Sequence, residues 1–298
     1  MVIKMKCNLC PRNCNVDRAK GQIGYCMAPN NLVIARYSLH PWEEPIISGR
    51  TGSGTIFFSY CNLSCCFCQN YQISEKHIGK HVTIEEFSDI CLELQEKGAT
   101  NINLVSPTPY VPLIIEGLKL AKRKGLNIPI VYNTSGYENI ETIKSLKGLI
   151  DIYLPDFKYY NDELALKYSK CPNYFKYASL CIEEMLNQVG EPQINNLGIL
   201  EKGVIVRHLI LPTNITDSKK IINYLYQKYQ DKIILSIMNQ YTPVRILKYQ
   251  ELNKKLTEEE YDEVVNYAYD LGVRNAFIQE GETQECSFIP DFNIFKGI

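Results

Sequence analysis

The 298-residue chain has no surplus of charge: 32 Lys and Arg stand against 33 Asp and Glu, for a net charge of −1. Proteins that hold nucleic acid or an anionic membrane surface by charge carry a basic excess, so neither partner is expected. No apolar run approaches the ~20 residues that cross a bilayer. The first residues, Met1-Val2-Ile3-Lys4-Met5-Lys6, lack the apolar stretch of a secretory leader. A cytoplasmic setting is therefore expected. Repeats and low-complexity segments are missing, and no hydrolytic triad stands out. Gly52-Ser53-Gly54 lacks the Lys-Ser/Thr ending of a phosphate loop and leads into a strand-like run rather than a helix.

What the chain does have is cysteine, twelve residues in all. Disulfide frameworks belong to small secreted domains. These cysteines instead cluster at metal-like spacings in a long chain. Cys61, Cys65 and Cys68 stand at C-x3-C-x2-C, after the strand-like Gly54–Tyr60. A [4Fe–4S] cube takes one thiolate per protein-held iron. Three thiolates leave one iron open to a small molecule carrying its own amino and carboxylate groups. A closed four-thiol site is disfavoured because the adjacent Cys65 and Cys66 point apart. Structural zinc favours paired C-x2-C knuckles from two places. Cys66 is read as a packed thiol. A second group, Cys7, Cys10, Cys14 and Cys26, has the spacing C-x2-C-x3-C-x11-C. Four soft ligands close either a zinc site or a second iron–sulfur cluster, and the spacing leaves both open. A segment this short cannot bury a core of its own, so a metal would staple it.

From Thr55 onward strand-like and helix-like stretches alternate. Strands are expected near 55–59, 101–105, 125–132, 149–154, 204–211 and 232–238, with a further one near 274–279. Thr83-Ile84-Glu85-Glu86 and Thr257-Glu258-Glu259-Glu260 read as capping boxes that open helices. The alternation predicts an α/β fold with a parallel sheet, an open, partial (β/α)6 barrel. Residues 1–50 are expected to form a cysteine-rich extension and connector, 51–280 the barrel, and 281–298 a tail. In such barrels the working residues sit at the C-terminal ends of strands. The cysteine loop, Ser106–Thr108, Asn133–Ser135, Asp156–Lys158 and Gln240 all fall there. Arg207 and His208 are neighbours on one strand and must face opposite ways. His40 and Glu44 are read as parts of a packed connector, with a site role as the other option.

The motif Cys61-x3-Cys65-x2-Cys68 resembles the signature of the radical SAM enzymes. Residues 54–240 look like the core of the pyruvate formate-lyase-activating-enzyme group. Cys7-x2-Cys10-Pro11-Arg12-x-Cys14, Gly21-x2-Gly24-x-Cys26 and Gly54-Thr55-Ile56-Phe57-Phe58-Ser59 resemble its PflX branch. The resemblance implies a [4Fe–4S] cluster on Cys61, Cys65 and Cys68, with S-adenosylmethionine on the open iron. It implies adenine contacts from Phe67 and Cys68. Ser106, Pro107 and Thr108 stand where the group has Gly-Gly-Glu, which meets the methionine amino group. Asn133, Thr134 and Ser135 replace an Asp-Thr-Asn pattern. Asp156 and Lys158 match a cofactor-binding Asp-Leu-Lys, with Arg207 and Gln240 nearby.

Such an enzyme draws an electron from an external reductant such as flavodoxin or ferredoxin. It uses a 5′-deoxyadenosyl radical to take a hydrogen atom from a C–H bond, in a glycyl-radical protein, a peptide or a small molecule. Water must be excluded, so residues 37–50 or the tail are expected to form a lid. A ferredoxin-like electron carrier and a zinc-stabilised binding module are the alternative readings.

Overall fold

The computed structural model describes residues 6–279 and 290–297. The expected boundary at 280/281 lies outside the described residues. Among the described residues ten strands form one sheet: β1 (Leu32–His40), β2 (Ser53–Phe58), β3 (Lys80–Val82), β4 (Ile102–Val105), β5 (Ile130–Thr134), β6 (Ile152–Pro155), β7 (Gln193–Ile194), β8 (Leu200–Leu209), β9 (Ile234–Met238) and β10 (Ala276–Ile278). Their order is β10-β9-β8-β6-β5-β4-β2-β1-β3, with β7 paired on the side of β8. From β2 to β10 neighbours run parallel, and β1 is antiparallel to both β2 and β3. This is the expected α/β partial barrel, open between its edge strands.

The helices are α1 (Pro45–Ser48), α2 (Tyr71–Ser74), α3 (Ile84–Glu96), α4 (Val111–Arg123), α5 (Ile140–Lys144), α6 (Asp162–Ser169), α7 (Tyr174–Val189), α8 (Ile215–Tyr229) and α9 (Glu258–Leu271). Both expected capping boxes form. The Thr83 hydroxyl accepts the Glu86 N–H while the Glu86 carboxylate accepts that of Thr83, and Thr257 and Glu260 do the same for α9. Each box satisfies two amides that a helix start would otherwise leave unpaired. Phe87, Ile90, Cys91 and Leu94 then face the core from one side of α3, so Cys91 is a packing residue.

Residues 32–40 differ from the expected connector. They form β1, whose register pairs His40 with Ser53 and Tyr37 with Ile56. The Leu32-Val33-Ile34-Ala35 run is buried on both faces, so it shows no polar alternation, and the cysteine- and proline-punctuated stretches on either side concealed it. Likewise β7 and the first residues of β8 lie ahead of the strand expected at 204–211.

Two helices approach closely where Gly117 of α4 lies against Phe87 of α3. A methyl group at 117 would overlap the Phe87 ring, which is fully buried and packed on Phe58. Alanine would gain roughly 1 kcal/mol in helix propensity, but overpacking a fixed ring costs about 1–3 kcal/mol. Gly117→Ala is therefore expected to lower stability in anaerobic urea unfolding; a variant more stable than the parent would contradict this packing.

Candidate active site

Along each strand alternate residues face the barrel interior. The first interior layer is apolar: Val131, Ile152, Leu154, Ile205 and Ile234 pack with Leu200 and with Ile47 of α1. One step further along come Asn133, Asp156, Arg207 and Ser236, which line a cavity of about 370 Å³. The plug thus closes one end of the interior and the polar layer sits above it. The loop after β2 brings Cys65, Phe67 and Cys68 to the opposite end.

Arg207 ties this layer together. Its Nε donates to Asp156 Oδ1 at 3.2 Å, one terminal nitrogen to Asn133 Oδ1 at 2.6 Å, and the other meets Glu43 Oε2 at 3.3 Å. Lys158 Nζ donates to Asp156 Oδ2 at 2.7 Å. Burial pushes Asp156 up, but the charges of Lys158 and then Arg207 outweigh it and hold the carboxyl below its usual range. Burial raises Glu43 and Glu44, with Arg207 opposing in both. Asn103 Nδ2 donates to the other Glu43 oxygen at 2.9 Å. Tyr174 of α7 pins the two loops above: its hydroxyl accepts the Lys158 N–H at 2.9 Å and lies 2.8 Å and 2.9 Å from the carbonyls of Ser135 and Asp156.

The three thiols of the loop stand within one another's field. Burial raises Cys61, with Cys65 and Cys68 adding to it. Burial also raises Cys65, opposed by Lys158, and pushes Cys68 up to about 11. Each sulfur meets a donor: the Leu63 N–H at 3.4 Å on Cys61, the Ser169 hydroxyl at 2.9 Å on Cys65, and the Ser74 hydroxyl at 3.3 Å on Cys68. Cys66 is held by its backbone, its N–H on Tyr168 O at 2.8 Å and its carbonyl on Arg245 at 3.1 Å.

The N-terminal cysteines gather on the same end of the molecule. Arg18 Nη2 lies 3.3 Å from both Cys7 Sγ and Cys26 Sγ. The Tyr25 N–H donates to Cys14 Sγ at 3.2 Å. Burial pushes Cys10 up to about 12, reinforced by Cys26, Cys7 and Cys14. Arg12 Nε donates to the Asn62 carbonyl at 3.2 Å, and the Tyr25 hydroxyl lies 3.0 Å from Ser64 Oγ. The four-thiol segment therefore rests directly on the Cys61–Cys68 loop. Among the described residues no three His, Cys, Asp or Glu side chains are gathered as ligands of a single metal ion.

Of the residues singled out from sequence, Cys65, Phe67, Cys68, Asn133, Asp156, Lys158, Arg207 and Gln240 all line the cavity. The side chains of Ser106, Pro107, Thr108, Thr134 and Ser135 do not. Thr108 and Thr134 turn outward to the buried Glu138, which Thr108 meets at 2.6 Å. Burial pushes Glu138 up to about 7. Ser106 has φ of 58° and donates its N–H to Asn133 O at 3.0 Å, so this loop presents backbone. Arg207 faces the cavity, while His208 faces α8, with Nε2 2.9 Å from Ser218 Oγ. His40 and Glu44 line the cavity rather than only packing the connector. Glu43 went unread: its only signal was a second acidic residue before a proline-started helix, and its arginine lies far along the chain.

The geometry agrees with what similarity shows. A family model described as the radical SAM superfamily matches residues 55–189, from β2 to the end of α7. The uncharacterized protein MJ0674 of Methanocaldococcus jannaschii is 30% identical over 273 residues, covering 88% of this chain and 74% of that protein. The chain belongs to the radical SAM superfamily. It is accordingly a radical SAM enzyme, of a family that works with a [4Fe–4S] cluster, S-adenosylmethionine and an external reductant. A second uncharacterized M. jannaschii protein, MJ0808, is 24% identical over 177 residues, half of each chain. Among solved structures, HydG, a maturase of the [FeFe]-hydrogenase, superposes with a TM-score of 0.52 at 15% identity over 79% of this chain. That likeness shows the fold alone, and the chain spans 53% of HydG. No described helix is long and apolar enough to cross a membrane.

Arg207→Met would strip a buried partner from both Asp156 and Glu43, a loss of about 3–5 kcal/mol for such pairs. Because Asp156 is depressed in the folded protein, its contribution is present above the ordinary Asp value of about 4 and disappears in acid. The stability deficit of Arg207→Met is therefore expected to be full at neutral pH and to narrow below about pH 4 in anaerobic urea unfolding. A deficit that does not change with pH would contradict it.

Proposed function

We propose that Cys61, Cys65 and Cys68 hold the [4Fe–4S] cluster through three irons and leave the fourth to S-adenosylmethionine. The observation that carries this is the set of three half-buried, mutually interacting thiols, two of which, Cys65 and Cys68, line a cavity closed at its other end. Each sulfur has a nearby N–H or O–H donor, as thiolates on a cluster require. When bound, this pair of cofactors supplies one-electron cleavage of the sulfonium and a 5′-deoxyadenosyl radical for hydrogen-atom abstraction.

The protein's part is to bind, orient and exclude water. Asp156, Lys158, Arg207, Asn133 and Gln240 form the polar wall for the ribose and the methionyl carboxylate. Phe67, held edge-on against Tyr241 at 6.0 Å, offers an apolar face and its backbone to adenine. Ser106–Thr108 and Thr134–Ser135 take part through backbone groups, since the two threonine hydroxyls are committed to Glu138. The cavity admits a small molecule or one side chain of a larger substrate, whose C–H bond would lie between the thiol end and the plug. Trp42 and Pro290 sit at its rim. Phe292 packs on Phe57 at 5.5 Å, so the connector and the tail are the segments suited to covering it.

We read Cys7, Cys10, Cys14 and Cys26 as ligands of a second iron–sulfur cluster, because the four thiols lie in mutual electrostatic reach and their segment rests directly on the Cys61–Cys68 loop. Anaerobic iron and sulfide analysis is expected to give about eight irons per chain, falling to about four in a Cys10→Ser/Cys14→Ser variant. Four irons plus one zinc in the parent protein would refute the second cluster. For the first cluster, Cys→Ala at 61, 65 or 68 is expected to abolish reductant-dependent release of 5′-deoxyadenosine, whereas Cys66→Ala retains most of it. Equal loss in all four would show that the ligand set is wrong.

A further inference from the structure

The charges around the cavity do not balance, and the imbalance sits at one residue. The carboxylates facing it are Glu43, Glu44 and Asp156, and the cations are Lys158 and Arg207. Both cations have contact partners, Lys158 on Asp156 and Arg207 on Asp156 and Glu43, and Arg207 also acts on Glu44 by charge alone. His40 supplies no charge, since burial first and Arg36 second push it down to about 4. Glu44 is left over. Its Oε2 is fully buried and has no hydrogen-bond partner, although Ser236 lies against the carboxyl group. A buried carboxylate oxygen without a donor is destabilising, because its desolvation is not repaid by a hydrogen bond. An acceptor of this kind, on a side chain that lines a cavity, is matched by a ligand that brings the missing N–H.

Position separates this acceptor from the cofactor end. The cysteine loop leaves the C-terminal end of β2, after Phe58. Glu43 and Glu44 follow His40, which pairs with Ser53 at the opposite end of the same strand. Glu44 is the N-cap of α1, whose Ile47 belongs to the plug, and its carboxyl reaches Ser236 in the polar layer, so it meets that layer from the plug side while the thiols meet it from the other. The amino group of S-adenosylmethionine, placed on the open iron in the reading above, is at the thiol end.

We propose that Glu44 binds the cationic end of the substrate, an ammonium or guanidinium group carried on an aliphatic stem, at the closed end of the cavity. The stem then runs along the interior from the apolar plug toward the thiols, and a C–H bond along it comes to the radical. Arg207 acts as a positioning residue by holding Glu43 and Asp156 in contact ion pairs, so that Glu44, which it reaches by charge alone, is the carboxylate placed to receive the cation. This assignment rests on the radical SAM reading for its purpose, but the binding it describes can be measured without turnover.

The test is calorimetric titration of the anaerobically loaded enzyme, with S-adenosylmethionine present, using n-pentylamine, 1-pentanol and Nα-acetyl-lysine amide. The amine is expected to bind saturably at one site per chain, and the alcohol, equal in length but uncharged, about tenfold more weakly or not at all. Glu44→Gln, checked for cluster content, is expected to weaken amine binding by a similar factor; Glu44→Asp, which keeps the charge, should recover part of it. Tighter binding of the lysine amide than of the free amine would assign the cation to a peptide, and the reverse to a small molecule. Equal binding of amine and alcohol, or amine affinity unchanged in Glu44→Gln, would overturn the proposal. A protein that binds the amine but never releases 5′-deoxyadenosine would instead overturn the reading of the thiol site.

Discussion

One guanidinium sets the shape of the interior. Arg207 reaches from β8 to Asn133 on β5, Asp156 at the end of β6 and Glu43 in the connector after β1. An open sheet has nothing across its mouth to fix the relative tilt of its strands, and this residue spans three of its segments at once. Burying so many charges is tolerable because each pair satisfies the other's hydrogen bonds. The same contacts hold the connector over the apolar plug, which closes the cavity at the end away from the cysteines.

The sheet's two faces divide the labour. Residues pointing outward, such as Tyr132, Tyr153, Val204 and Val206, belong to the main core beneath the helices. Residues pointing inward begin as a plug and become a polar wall one step later. The cysteine loop is fixed from outside that wall: Asn62 Nδ2 donates to Tyr137 O at 2.5 Å, Cys66 N–H to Tyr168 O, and Gln69 to the Gln240 carbonyl at 2.7 Å. Its thiols are thus held by helices, by the loop after β9 and by the N-terminal segment. That is the rigidity a cofactor site needs if bond cleavage is to occur next to one particular C–H bond.

Much of this was legible in the chain because it is local. The spacing of Cys61, Cys65 and Cys68, the capping boxes at Thr83 and Thr257, and the strand-end positions of Asn133, Asp156 and Lys158 are written within a few residues of one another. The opposed directions of Arg207 and His208 followed from the pleat alone. What escaped depends on distant partners. Glu43 means little until Arg207, 164 positions later, lies beside it. Thr108 and Thr134 looked like site residues because their loops sit at strand ends, and only the fold shows Glu138 taking both hydroxyls. β1 was hidden for another reason: a strand buried on both faces carries no alternation to read.

The central claim is that three protein thiols leave one iron of the cube for S-adenosylmethionine, and Mössbauer spectroscopy of the anaerobically loaded protein tests it most directly. Adding S-adenosylmethionine is expected to give one iron of the Cys61–Cys65–Cys68 cluster a spectrum of its own, with the remaining irons unchanged. Spectra identical before and after the addition would contradict the account.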